Sequence, residues 1–554
     1  MQYDESAWLF PNFTNMVHPF LPPTGTTGAT DAFATTTPPT PLVDGKQTGL
    51  VAGLGLAAWM EFYTFDAVNL VLPDMAGAFG VSHEEASWLL IAFSASLFWG
   101  MAISVWLAGH IGYLRYILGS IVLFAIASLG CAFATDFGTM LVWRTVSGIA
   151  GAGLAMWWRG SVYLLMPRPR RSVSMMRISI MIYLSTAAGL LFSGYVTDRY
   201  TWRWLFVPNI VVAVAAIWLL IRHFPKIVRP TDVRARGIDA PGLLLLAVAL
   251  VCTQVVMSRG QAKDWFGSSE IRVLAWAATS ALVLFVGWQL HHRNSVRLHR
   301  LDLLRHRDVA AAVVLGVLAG VIVSGSTYAL PEFLRTVYSP GLDATHTGRI
   351  LCVYALTAAA IRPLVTRSVG KFGPRKVLAF AFILLTVSMS LMSYLITTTT
   401  PYGYFALPLI LYAFCLSPVL SALASGTVAR LPQGVQLDAV AVYMTFRQFG
   451  MSLGVTLVTG VLAWREQLHS SRLFDFLYSA SVQVNEWMTS ATLMLMQRGM
   501  SATQARSAAE ALLAETAIRQ ARTLAYADAF VFMASVGVLA LCFVPLMSPT
   551  PSKG

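Results

Sequence analysis

The sequence predicts an all-α polytopic membrane protein: two six-helix bundles with a two-helix insert between them, 14 transmembrane helices in all. Three observations lead there. Of 554 residues, 56% are apolar and only 12% charged, with a mean hydropathy of +0.64; a soluble domain carries about 25% charged residues. Apolar stretches of about 20 residues, enough to cross a hydrocarbon core as a helix, recur along the chain. They fall into a block of six, a pair, and a second block of six.

The elements follow in order. Residues 1–48 are polar and rich in Pro and Thr, as in Pro22-Pro23 and Thr35-Thr36-Thr37-Pro38-Pro39, and are expected to be a disordered tail. They show no signal-peptide pattern, so span 1 serves as its own insertion signal. The first bundle, residues 49–222, holds span 1 (Leu50–Leu72), span 2 (Ala86–Ala108), span 3 (Arg115–Ala134), span 4 (Met140–Leu165), span 5 (Val173–Val196) and span 6 (Trp204–Ile221). The insert, residues 223–308, holds Ala240–Met257 and Val273–Leu290 between basic flanks. The second bundle, residues 309–547, holds Val309–Leu330, Ile350–Thr366, Val377–Ile396, Tyr404–Val428, Ala439–Trp464 and Tyr526–Met547, before a short tail at 548–554. The connection 465–525 is long, and from Ser501 to Ala525 it is rich in helix-forming Ala, Leu, Glu, Gln and Arg. It reads either as a lid over the outer mouth or as a docking surface.

The net charge of +13 collects in short loops, which points to membrane topology rather than a nucleic-acid partner. Pro167–Arg171 reads PRPRR. Lys226, Arg229, Arg234 and Arg236 precede the insert; Arg293, Arg297, Arg300, Arg305 and Arg307 follow it; Arg367, Lys371, Arg375 and Lys376 follow span 10. All four groups fall on one face, which the positive-inside rule makes cytoplasmic, with both termini. The five cysteines, Cys131, Cys252, Cys352, Cys415 and Cys542, lie singly in apolar stretches without metal-ligand spacing. No phosphate-binding loop, zinc pattern or nucleophile elbow appears, so no enzyme activity, cofactor or metal is expected.

Charges inside spans are costly and mark pathways. Glu61 and Asp66 in span 1 are five apart, about 140° net around a helix, so only one of them faces a central cavity. Arg144 and Arg159 lie in span 4, Arg177 near the end of span 5, Glu332 after Pro331 in span 9, Arg362 in span 10, and Arg447-Gln448 in span 13. A buried carboxylate beside an Arg can gate a proton, which makes Asp66 with Arg144 a coupling pair and leaves Glu61 and Glu332 as further acids. The alternative for Asp66 and Arg144 is a fixed ion pair between spans 1 and 4. Asn69, Trp99, Trp157, Tyr328, Arg447 and Gln448 are candidate cavity residues for aromatic solutes. Gly148, Gly189 and Gly194 punctuate spans 4 and 5 and permit close helix approach.

These features resemble a known family. Asn69-Leu70-Val71-Leu72-Pro73, Trp88, Arg144 with Gly148, Ile238-Asp239-Ala240-Pro241-Gly242, Arg259-Gly260 with Asp264-Trp265-Phe266, Phe446-Arg447-Gln448 with Gly450, and Gly499-Met500-Ser501 are similar to motifs of the fourteen-span drug:proton antiporters of the major facilitator superfamily, in particular the EmrB type. Gly112 and Arg115 after span 2, and Arg367 and Arg375 after span 10, match parts of that family's conformational loops. Gly109 and His110 stand where the family has Asp and Arg, the span 5 motif has lost its Pro, and the family acid of span 1 falls at Thr64. The resemblance implies a major facilitator fold and a proton-coupled multidrug efflux pump of the bacterial inner membrane. It also implies an EmrA-like periplasmic adaptor and a TolC-like outer-membrane channel as partners. Export of a dedicated metabolite, lipid or siderophore is the alternative; a non-transporting scaffold or receptor has little reason to accept embedded charges.

Overall fold

In hydrocarbon every backbone donor and acceptor must be satisfied within the chain, which leaves helices as the economical way to thread this sequence through a bilayer. A computed structural model describes residues 44–225, 239–260, 263–291, 301–338, 341–428, 430–431, 433–478 and 482–548. Most of the tail expected to be disordered, the basic stretches 226–238 and 292–300 and the last six residues lie outside them, as does Ile238 of the insert motif.

The described chain is helical. Its α-helices are α1 (Asp44–Phe79), α2 (His83–Ile111), α3 (Tyr113–Phe133), α4 (Phe137–Leu165), α5 (Arg168–Arg199), α6 (Pro208–His223), α7 (Ala240–Arg259), α8 (Ser269–Leu290), α9 (Arg307–Thr336), α10 (Ala344–Phe372), α11 (Pro374–Leu395), α12 (Ala406–Val428), α13 (Gln433–Tyr478), α14 (Val482–Gln497) and α15 (Ala502–Phe543). Among the described residues, 12 helical segments are long and apolar enough to cross a membrane. The expected count of 14 is therefore met by 12: α1 and α4, 36 and 29 residues long, fall outside that set. They are the helices that carry Glu61 with Asp66 and Arg144 with Arg159, and those charges lower their apolarity.

Boundaries follow local chemistry. Ser82 and Glu85 form a capping box at the start of α2, and Asp136 accepts from the Thr139 N–H to start α4. Gly112 between α2 and α3 and Gly373 between α10 and α11 have φ of 95° and 81°, a region that a side chain rarely tolerates. The connection 465–525 is carried by the end of α13, by α14 and by the start of α15.

Two groups of helices pack. In the first, α1 lies against α5 and α6, α2 against α4, and α3 against α4 and α6; in the second, α9 lies against α13, α10 against α12, and α11 against α12 and α15. The groups meet along α5–α10, α2–α13 and α1–α9. Close approach needs small residues: a Cβ on Gly148 of α4 would strike Ser96 and the Phe93 carbonyl of α2, and one on Gly194 of α5 would come within 2.5 Å of the Ala344 carbonyl of α10. A Cβ on Gly189 would come within 2.7 Å of the Tyr63 carbonyl of α1.

The insert pair α7–α8 is tied to both groups. Trp99 of α2 donates to the Leu243 carbonyl of α7 at 3.2 Å. Gln254 of α7 donates to Ser452 of α13 at 2.6 Å and accepts from Thr456 at 2.5 Å. Asp239 caps α7 by accepting from the Gly242 N–H at 3.0 Å, and accepts from Trp288 at 2.7 Å and Gln289 at 2.6 Å on α8. Three donors converge on one buried carboxylate, so Asp239→Ala should cost about 2 kcal/mol and lower the melting temperature of the purified protein. An unchanged thermal midpoint would show that the insert is held elsewhere.

Candidate functional site

The groups enclose a cavity of about 430 Å³ between α1, α4 and α5 on one side and α9, α10, α12 and α13 on the other. Helical spacing selects its lining. Phe62, Phe65 and Asp66 share one face of α1, and Met175, Ser179, Ile182, Tyr183 and Thr186 form a stripe along α5. The cavity reaches from Asp66 to Arg171 in the first turn of α5 and Gly370 in the last turn of α10, the end of the molecule that carries the basic loops.

Asp66 lies where the cavity ends, 5% exposed. Thr186 of α5 donates to its Oδ2 at 2.7 Å, and Tyr354 of α10 donates to its Oδ1 at 3.2 Å. One carboxylate thus holds helices of both groups. Beyond it, a small chamber of about 30 Å³ is lined by Asn69, Leu190, Leu330 and Pro331, and polar contacts join the groups near it. Arg335 of α9 forms an ion pair with Asp74 of α1, its Nη2 at 2.9 Å from Oδ1, and donates to the Leu70 carbonyl at 3.3 Å. Asp198 at the end of α5 accepts from the backbone N–H groups of Ala344 and Thr345 at 3.1 and 2.7 Å, an anion on the first turn of α10. The seal therefore consists of polar contacts between the groups laid over the glycine contacts of α5 and α10.

Several expected residues lie elsewhere. Asp66 and Arg144 make no hydrogen bond or ion pair with each other. Arg144 is fully buried, donates from Nε to the Leu89 carbonyl at 3.3 Å and sits over the Phe93 ring at 4.5 Å, with both Nη atoms unpartnered. The helix turn between it and the cavity face directs it into the α2–α4 contact instead. Trp157 packs on Tyr113 and Tyr116, and its neighbour Trp158, about 100° further round α4, lines the cavity in its place. Trp99 belongs to the α2–α7 contact. Tyr328 and Glu332 are buried in α9, both within electrostatic reach of Tyr526 on α15, and Gln448 is buried beside the cavity-lining Arg447 without lining the cavity itself. Glu61 is buried off the Asp66 face, within electrostatic reach of Arg159 and Arg447, which both line the cavity. Asn69 donates to its own helix at the Phe65 carbonyl, 2.8 Å away. Arg115 and Arg367 are exposed at the basic end and Arg375 is half-buried there; Arg177 is exposed.

The sequence reading singled out neither Thr186 nor Tyr354, and neither Asp74, Arg335 nor Asp198. The first two are neutral hydroxyls with no periodic signal. The others lie towards helix ends, where a charge is ordinary, and only the pairing of distant spans shows that they join the two groups.

Comparison with known proteins fits this geometry. The Major Facilitator Superfamily model matches residues 54–455. Multidrug export protein EmrB of Escherichia coli (strain K12) is 25% identical over 503 residues, 90% of this chain and 96% of that protein. The probable multidrug resistance protein EmrY of the same strain is 24% identical, covering 80% and 87%. The putative multidrug resistance protein MdtD of Escherichia coli O6:H1 is 26% identical, covering 79% and 90%. Among solved structures, the proton:xylose symporter XylE aligns with a TM-score of 0.55 at 14% identity, covering 90% of this chain and 95% of that one. The peptide transporter POT aligns with a TM-score of 0.56 at 14% identity and the same coverage.

The Asp74–Arg335 pair can be tested directly. With Leu330→Cys as a reporter in the small chamber, adding Arg335→Gln should raise the rate of labelling by an impermeant maleimide, applied from the Asp74 side, by about tenfold. Equal rates in the two backgrounds would mean the seal does not depend on this pair.

Proposed function

This chain belongs to the major facilitator superfamily, and from that premise we propose that it is a proton-coupled exporter of amphipathic and aromatic compounds working by alternating access. In this reading α1 and α4 cross the bilayer with the other 12 helices, giving 14 crossings. The basic end, with both termini, faces the cytoplasm of a bacterial inner membrane. The conformation is then open inward and sealed outward. Relatives named as multidrug exporters across most of the chain's length support the direction of transport.

The observation that carries the proposal is the position of Asp66. Its carboxylate joins α1 to α5 and to α10 of the other half at the boundary between cavity and seal. As an anion it accepts two charge-assisted hydrogen bonds, which are roughly twice as strong as neutral ones. Protonation removes that assistance from both, so the proton load sets how firmly Tyr354 and Thr186 hold the junction. A change at one atom then biases which end is closed, as alternating access requires. Glu61, Arg144 and Glu332 are further buried charges through which coupling could act. The cavity's volume lies within the range of small-molecule sites, and Phe62, Phe65 and Trp158 offer aromatic walls. The helical projection formed by α13, α14 and α15 is proposed as the platform for an EmrA-like adaptor, and through it a TolC-like channel.

In everted vesicles, a compound panel should trigger proton flux that falls by at least about tenfold in Asp66→Asn at normal protein level. Flux that persists in the variant would move the coupling site to Glu61 or Glu332.

A further inference from the structure

The charges around the cavity are strongly unequal. Among the described residues four arginines line it, Arg159, Arg171, Arg362 and Arg447, against a single carboxylate, Asp66, whose oxygens already accept from Thr186 and Tyr354. Glu61 lies within electrostatic reach of Arg159 and Arg447. Arg362 has no such neighbour. It is 8% exposed, and its Nη1 donates only to neutral oxygens, the Ser417 carbonyl at 3.3 Å, the Ser417 hydroxyl at 3.4 Å and the Ser421 hydroxyl. It forms no ion pair among the described residues. The buried polar atoms that lack a partner on cavity-lining residues are the Nε1 of Trp158 and the Nε atoms of Arg362 and Arg447, and all three are donors.

A guanidinium held away from water without a counter-charge is costly, and supplying its partner lowers that cost. The imbalance is relieved by a ligand that brings negative charge. A cationic ligand meets the opposite situation, since it would have to compete with two hydroxyl donors for the one lining carboxylate. Arg159 lies over the Trp158 ring at 4.0 Å, and both Arg159 and Arg362 are within electrostatic reach of the Tyr183 hydroxyl. Cation, hydroxyl and aromatic wall are therefore adjacent.

We propose that the cavity is selective for amphipathic organic anions, with a carboxylate or sulfonate held at Arg362 and Arg159 beside Tyr183 and an aromatic body against Phe62, Phe65 and Trp158. The proposal rests on the cavity being the transport site, and it narrows the substrates to one charge class. Arg362 is the specificity-determining residue, because it is a buried lining cation that donates to neutral oxygens and forms no ion pair among the described residues.

Binding tests this without a proton gradient. The purified protein in phosphatidylcholine nanodiscs is titrated with three pyrenes of one size, 1-pyrenesulfonate, 1-pyrenemethanol and 1-pyrenemethylammonium, and tryptophan quenching is read. The sulfonate should bind at least about tenfold more tightly than the ammonium. Arg362→Gln should weaken the sulfonate about tenfold while pyrenemethanol stays within about twofold, and Arg362→Lys should retain part of the preference. Equal or tighter binding of the ammonium to the wild type overturns the proposal, as does an Arg362→Gln variant that weakens all three alike while remaining folded by its thermal transition. Should Arg362→Gln not fold, the wild-type ranking together with Arg159→Gln decides the matter. Loss of proton-driven flux with the anion preference intact would sink the exporter reading and leave this one standing; the reverse result would do the opposite.

Discussion

A charged group inside a bilayer has to find its partners within the protein, and the organisation of this molecule follows from that constraint. Arg144 is given the Leu89 carbonyl and the face of Phe93, Arg362 a set of serine oxygens, Asp66 two hydroxyls from different helices. None of these groups faces lipid. Asp66 and Arg362 lie at the cavity where the two helical groups meet, and Arg144 lies inside the first group, in the α2–α4 contact. The price in hydrophobicity is visible in α1 and α4, the two long helices that fall below the apolarity of the rest.

The ends of the molecule differ in the chemistry of contact. At one end the groups are joined by an ion pair, a carboxylate on a helix start, and backbone contacts close enough to exclude a Cβ. At the other, the start of α5 and the end of α10 border an open cavity lined by arginines. Polar contacts at a water-facing end are worth little individually, so the seal can be released without unfolding either group. The glycine contacts of Gly148 and Gly189 lie within the first group and keep it rigid, whereas Gly194 faces Ala344 across the junction that has to part.

Much of this was legible in the sequence. The apolar runs placed nearly every long helix, since lipid imposes a length and a composition that leave a strong signal. Of the embedded charges, Asp66, Arg159, Arg362 and Arg447 line the cavity. The partner of Asp66 was not legible. A buried carboxylate suggests a cation, and Arg144 was the nearest candidate by span, but hydroxyls satisfy a carboxylate equally well and Thr186 and Tyr354 are indistinguishable from packing residues in a list of letters. Trp157 and Trp158 show the same limit: adjacent positions on a helix differ by about 100°, and sequence alone does not say which faces inward. Trp99 was an attractive aromatic for a cavity and proved to hold the insert through the Leu243 carbonyl.

The length of α13 has a mechanical consequence. It runs unbroken from Gln433 to Tyr478, 46 residues, with Arg447 at the cavity and Arg465 and His469 bonded to Asp528 of α15 further along. From Arg447 to its end is about 46 Å at 1.5 Å per residue. As a stiff rod pivoting near the cavity, α13 would turn a tilt of about 10° into a sweep of about 8 Å at its tip. The clasp at Asp528 would pass that sweep to α15, so the end of α13 with α15 would be the long arm of a lever whose short arm lies at the cavity.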